Sequence, residues 1–170
     1  MRFSLLNHSL RFDTTGNCYP AALADVLAGN DNGVAIAFKE ASTAWLRGTF
    51  ELPESWTAKT VQVCVVWTAN ATAGNVDWHF RYKVIAGNDT TVADIALTAT
   101  TDEGASGAYL SSIDAAPSVA KERLTAFFAL TESFLVSDGT LIWELQRDSA
   151  DADDTMAATA VVLDVLFDVT

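Results

Sequence analysis

Between Val76 and Val84 the chain alternates without a break. Val76, Trp78, Phe80, Tyr82 and Val84 are apolar or aromatic, and Asp77, His79, Arg81 and Lys83 lie between them. A helix, with its period of about 3.6 residues, would mix the two sets; a strand puts them on opposite faces. The spacing predicts a strand with one buried face and with His79 exposed on the other. The C-terminal run behaves similarly, placing Val161, Leu163, Val165, Phe167 and Val169 on one side and Asp164 and Asp168 on the other. A third alternating run points Leu141, Trp143 and Leu145 inward.

Residues 33–39, 45–52, 60–68 and 121–130 are further expected strands. Asn32-Gly33, Gly74-Asn75, Gly87-Asn88 and Asp138-Gly139 punctuate them as turns, and Pro53 closes one of them sharply. Two stretches have no clear period. Residues 19–27, with Pro20 near the start, suit a short helix or a lead into a strand. Residues 98–118, rich in Ala, Ser, Gly and Asp, read as a long excursion around Tyr109 and Leu110. Strand follows strand without intervening helical patterns, which predicts an all-β fold. The expected architecture is a two-sheet antiparallel β-sandwich of jelly-roll type. With no internal repeat and no linker, residues 31–170 form one domain, preceded by an N-terminal arm or irregular segment over residues 1–30.

Composition supports a shared core between two sheets: 50% of the 170 residues are hydrophobic and only 19% are charged. The net charge of −12, from 10 basic and 22 acidic residues, argues against a nucleic-acid partner, because phosphate backbones attract Lys and Arg. No apolar run reaches the roughly 18 residues of a membrane-spanning helix, so no membrane association is expected. The N-terminus lacks the apolar core of a signal peptide, which leaves the sequons at Asn7, Asn70 and Asn88 without a secretory context. Cys18 and Cys64, with no CxxC spacing, are expected to be free structural thiols.

The densest polar stretch runs from Arg147 to Thr155 and holds Asp148, Asp151, Asp153 and Asp154. Such carboxylates could gather around a hard cation such as Ca²⁺, but the spacing is not that of an EF-hand. A turn in which Asp side chains cap backbone N–H groups and Arg147 pairs with one carboxylate is the preferred reading, with no metal site. His8 and His79 have no ligand at metal-binding spacing. There is no GxSxG elbow and no phosphate-binding glycine loop, so no catalytic residue and no cofactor is expected. Of the five tryptophans, Trp67, Trp78 and Trp143 fall at core positions and Trp45 begins a strand. Trp56 is the one placed for a partner surface.

One set of segments resembles a known group of proteins. It comprises Phe50-Glu51-Leu52-Pro53-Glu54-Ser55-Trp56, the strand ending at Trp67, and Asn70 to Trp78. Leu141 to Asp148, Asp153-Asp154-Thr155 and the closing strand complete it. Over residues 44–170 this resembles jelly-roll proteins encoded among tailed-bacteriophage structural genes, including capsid decoration (cement) and tail-associated proteins. The resemblance implies that Arg147, Asp148, Asp154 and Thr155 fix the final hairpin, and it supplies no catalytic residue. It also implies a decoration subunit on the capsid exterior of the virion, present in the bacterial cytoplasm before assembly. Such a subunit would self-associate as a homotrimer or homodimer and clamp neighbouring major capsid proteins. Its expected partner surface comprises Phe3, Leu5, Leu6 and Phe12 of the arm, with Trp56 and Tyr109. The alternative is a tail-fibre or baseplate module that binds host glycans, through loop residues such as Trp56 and Tyr109, or other tail proteins.

Overall fold

In the computed structural model, which describes residues 2–6, 10–12, 16–22, 34–40, 43–52, 61–85, 97, 109–130 and 139–169, the regular elements are all strands. They are β1 (Arg2–Ser4), β2 (Leu10–Phe12), β3 (Cys18–Ala22), β4 (Val34–Phe38), β5 (Ala44–Glu51), β6 (Val61–Ala69), β7 (Asn75–Ile85), β8 (Leu110–Ala115), β9 (Leu124–Ala129), β10 (Thr140–Arg147) and β11 (Ala160–Val169). Every pairing is antiparallel. One sheet runs β3-β4-β11-β6-β9, with β1 also on β11; the other runs β2-β5-β10-β7-β8. From β4 to β7, and again from β8 to β11, the chain changes sheet at each step. That exchange makes the jelly-roll sandwich.

The inward faces meet in one continuous core. Trp67, Trp78, Trp143, Phe38, Phe80, Tyr82, Phe128 and Phe167 all lie in it, sealed from solvent. Phe80 stacks on Phe128 at 5.5 Å and on Trp143 at 6.2 Å, while Trp67 meets Trp78 edge-on at 5.7 Å. Trp143 needs a neighbour without a side chain: it pairs across the ladder with Gly48, where a Cβ would lie 2.5 Å from the indole. The expected inward positions of β7 and β10 are all in place, apart from Val84, which is half-buried against the core. Cys18 and Cys64 are buried thiols that form no disulfide.

The structure departs from the sequence expectations at several points. The alternation of β11 is interrupted. Its register against β6 shifts between Val162 and Asp164, a bulge that inserts Leu163. Ala160, Val162, Val165 and Phe167 therefore share the core, whereas Val161 packs with Ala35 and Leu163 outside it. A single inserted residue reverses the face of everything before it.

Residues 1–30 were expected as an arm or irregular segment, but their described parts include strands that belong to both sheets. β1 pairs with β11, β2 with β5 and β3 with β4. Leu5 is fully buried, and its N–H donates to the Val165 carbonyl at 2.7 Å. β3 is an edge strand, which accommodates Pro20, since proline has no N–H to give a second neighbour. The excursion over residues 98–118 contains a strand, β8, which pairs with β7 along Asn75–Phe80. The strand expected at 121–130 begins only at Leu124, after Lys121 adopts a left-handed φ of 70°.

Candidate ligand-binding face

The outward residues of the five-stranded sheet form rows across its strands. One row reads Arg11 on β2, Arg47 on β5, Glu144 on β10 and Arg81 on β7, each directly opposite the next. Glu144 is the hub. Its carboxylate, 1% exposed, accepts from Arg47 Nε, from an Arg81 terminal nitrogen at 2.9 Å and from the Tyr109 hydroxyl at 2.7 Å. Arg81 in turn lies over the Tyr109 ring, 4.6 Å from its centroid. Burial, reinforced by the bond to Glu144, raises the Tyr109 phenol above its ordinary value, so it remains a donor.

Beside this row, Trp45 supports Arg47, whose guanidinium carbon sits 4.4 Å from the ring centroid. Trp45 and Arg47 line a cleft of about 450 Å³ together with Arg11, Thr49, Thr140, Ile85, Ile142 and Leu97. That volume lies in the range of small-molecule sites, roughly 300–1,000 Å³. Among the described residues, the two charged ones that line it are both cations. The other walls mix apolar side chains with threonine hydroxyls, and the floor is a hydrogen-bonded sheet that is rigid by construction.

On the same face, His79 was expected to be exposed. It is instead largely covered, with its ring tilted against Tyr109 at 5.2 Å and bonded to Asp77 at 2.8 Å. The cause is β8 and Tyr109, which pack beside and over β7. Asp77 is buried, which pushes its carboxyl above the ordinary range. The attraction of His79 opposes that shift, and Asp151 and Asp148 add to it.

The four residues expected to fix the final hairpin converge at one end of the sandwich. Arg147 points inward and is fully buried. It grips Asp154 through two 2.8 Å bonds and donates to the carbonyls of Met156 and Ala158, each at 2.6 Å. Thr155 exchanges bonds with Asn75: its hydroxyl accepts at 2.9 Å and its N–H donates at 2.9 Å. Asp148 accepts from the Thr43 hydroxyl at 3.0 Å. Gly74, at φ +91°, lets this loop approach, since a Cβ there would meet the Met156 backbone at 2.7 Å. Among the described residues no group of His, Cys, Asp and Glu is arranged to hold a metal ion.

Of the expected partner-surface residues, those whose side chains are described, Leu5, Leu6, Phe12 and Tyr109, do not share one exposed face. Leu5 is in the core, so it offers no surface; Leu6 and Phe12 are half-buried against that core. The backbone of Phe3 pairs with Phe167, and Trp56 lies outside the described residues. Tyr109 belongs to the polar row instead. Sequence reasoning missed Arg11, Arg47 and Glu144, and treated Trp45 only as a strand start. The alternation Trp45, Arg47, Thr49 against Leu46, Gly48, Phe50 was the available signal for their shared outward face.

No protein-family model matches the chain, and no curated protein matches its sequence. Solved structures do match its shape. An isomalto-dextranase from Arthrobacter globiformis T6, complexed with panose, aligns at TM-score 0.55 and 10% identity, over 98% of this chain and 23% of that one. The K1 cleaved adhesin domain of Lys-gingipain from Porphyromonas gingivalis W83 aligns at TM-score 0.52 and 10% identity, over 100% and 98%. The C-terminal CBM6 of LamC, a laminarinase from Zobellia galactanivorans, aligns at TM-score 0.50 and 7% identity, over 98% and 97%. At such identities the likeness concerns the fold alone, and that fold is the jelly-roll β-sandwich found in carbohydrate-binding modules.

Proposed function

We propose that the protein is a non-catalytic, glycan-binding β-sandwich module. One observation carries this reading: the cleft on the outer face of the five-stranded sheet, where Trp45, apolar walls, two threonines and two arginines converge on a rigid floor. Saccharides present apolar ring faces edged with hydroxyls, and this lining offers both kinds of contact. The fold adds support, since similarly shaped structures include a carbohydrate-binding module and an enzyme holding panose. A place in a phage tail fibre or baseplate fits both the sandwich and the resemblance of residues 44–170 to phage structural proteins.

The decoration-protein reading keeps that resemblance but loses part of its surface, because Leu5 is in the core and β1 and β2 are tied into the sheets. Calorimetric titration with a panel of soluble oligosaccharides, in parallel with sedimentation on expanded phage capsids, separates the two. Saturable binding of a saccharide that Trp45→Ala abolishes is the expected result. Tight capsid binding with no saccharide bound would return the protein to the shell.

A further inference from the structure

We infer that the ligand of the cleft is an acidic saccharide, a ring bearing a carboxylate or a sulfate ester, held between Arg11 and Arg47. The inference rests on the glycan-binding reading and names its ligand class. Arg11 and Arg47 occupy directly opposite positions on β2 and β5. Side chains at such positions leave the sheet from Cβ atoms about 4.5–5.5 Å apart, and like charges so placed repel. In a chain with 10 basic residues and a net charge of −12, two of them face each other at the one cleft described above.

No carboxylate in the row offsets both. Glu144 is already shared among Arg47, Arg81 and the Tyr109 hydroxyl. Three guanidiniums thus stand in line with one carboxylate, and among the described residues Arg11 has no ion-pair partner. An anionic group entering between Arg11 and Arg47 would relieve their repulsion. That gain is absent for a neutral sugar.

Arg47 is also oriented before any ligand arrives. Its Nε is committed to Glu144 and its planar group rests on Trp45, so its terminal amino groups are left to meet ligand oxygens. A guanidinium fixed in this way loses little freedom on binding, and its fork matches a carboxylate or sulfate oxygen pair. Ile85, Ile142 and Leu97 then provide an apolar wall for the ring that carries the anion, a feature that a free inorganic ion would not use.

The test is titration of the full chain with trigalacturonate, a sulfated galactose trisaccharide, neutral galactotriose and inorganic sulfate. At least one acidic trisaccharide is expected to bind more tightly than galactotriose and than inorganic sulfate. Arg11→Gln, on an exposed side chain, should weaken that binding roughly tenfold or more, the usual worth of a hydrogen bond to a charged group. Arg47→Lys should weaken it as well, because a point charge cannot replace the fork. Salt at about 1 M, where the Debye length is about 3 Å, should reduce acidic but not neutral binding. Equal affinity for galactotriose, unchanged in Arg11→Gln, would overturn the acidic ligand while leaving a glycan-binding cleft. Inorganic sulfate binding as tightly as the trisaccharides would overturn it in favour of a simple anion site. Binding of no saccharide at all, neutral or acidic, would bring down the glycan reading itself.

Discussion

Arg147 shows how one buried charge can organise a loop. Its guanidinium is fully buried, and so is its partner Asp154, whose side chain is 2% exposed. Charges this deep are tolerated only when their hydrogen-bonding groups are met, and the Met156, Ala158 and Phe38 carbonyls take the remaining donors. Arg147→Ala would leave the buried Asp154 side chain without its cation. The expected loss is about 3–5 kcal/mol, readable from the urea midpoint. Asp77 yields a prediction of opposite character. Burial raises its carboxyl above the ordinary 3.8, so the native state binds that proton more tightly than the unfolded chain does. Its contribution is therefore full below the ordinary value and is lost as pH rises through the native one. Compared with Asp77→Asn, the natural chain should gain relative stability as pH falls from about 7 towards about 4. Urea unfolding of both chains across that interval checks it, and a trend of the opposite sign would mean that attraction to His79 outweighs burial.

Among the elements, the short N-terminal strands and the β11 bulge carry the clearest consequences. β1 and β2 together contribute six paired residues, one strand to each sheet. They also bracket Leu5, whose replacement by Ala alone should cost about 2–5 kcal/mol. Deleting residues 1–12 should destabilise the sandwich by at least that much and expose ladder edges on β11 and β5. Denaturant unfolding and light scattering report the two effects. The bulge makes a sharper comparison. Removing Leu163 would join Val162 to Asp164 and leave Val165 and Phe167 facing the core. Removing Val165 would turn Leu166 and Asp168 inward instead. The Leu163 deletion should keep the β-sheet circular dichroism and a cooperative transition, and the Val165 deletion should lose both.

For the molecule as a whole, the decisive feature is a single core shared by both sheets. Residues from all strands of length eight or more meet in it, with Trp67, Trp78 and Trp143 at the centre. Neither sheet can bury its inner face alone, so the two should unfold together. Near-ultraviolet and far-ultraviolet circular dichroism should give coincident urea transitions. The outer face of the five-stranded sheet is then a surface on a rigid body, which is why its cleft can hold Arg47 in place at no further cost in order.

Much of this was legible in the residues themselves. Asp77 and Arg81 alternate with Trp78 and Phe80, and that alternation assigned the faces of β7, since successive side chains on any strand point opposite ways. The same rule placed Trp67, Trp78 and Trp143 in the core, and a succession of such strands predicted the sandwich. Three-residue strands such as β1 and β2 are too short to display a period, so the N-terminal segment read as an arm. A period also breaks where a residue is inserted, which hid the true faces of Val161 and Leu163. The candidate site was less accessible still. That Arg11 lies opposite Arg47, and Glu144 between Arg47 and Arg81, depends on register between paired residues up to 97 positions apart in the chain. Alternation is local covalent geometry and belongs to the sequence; register is chosen by packing, and only the folded chain decides it.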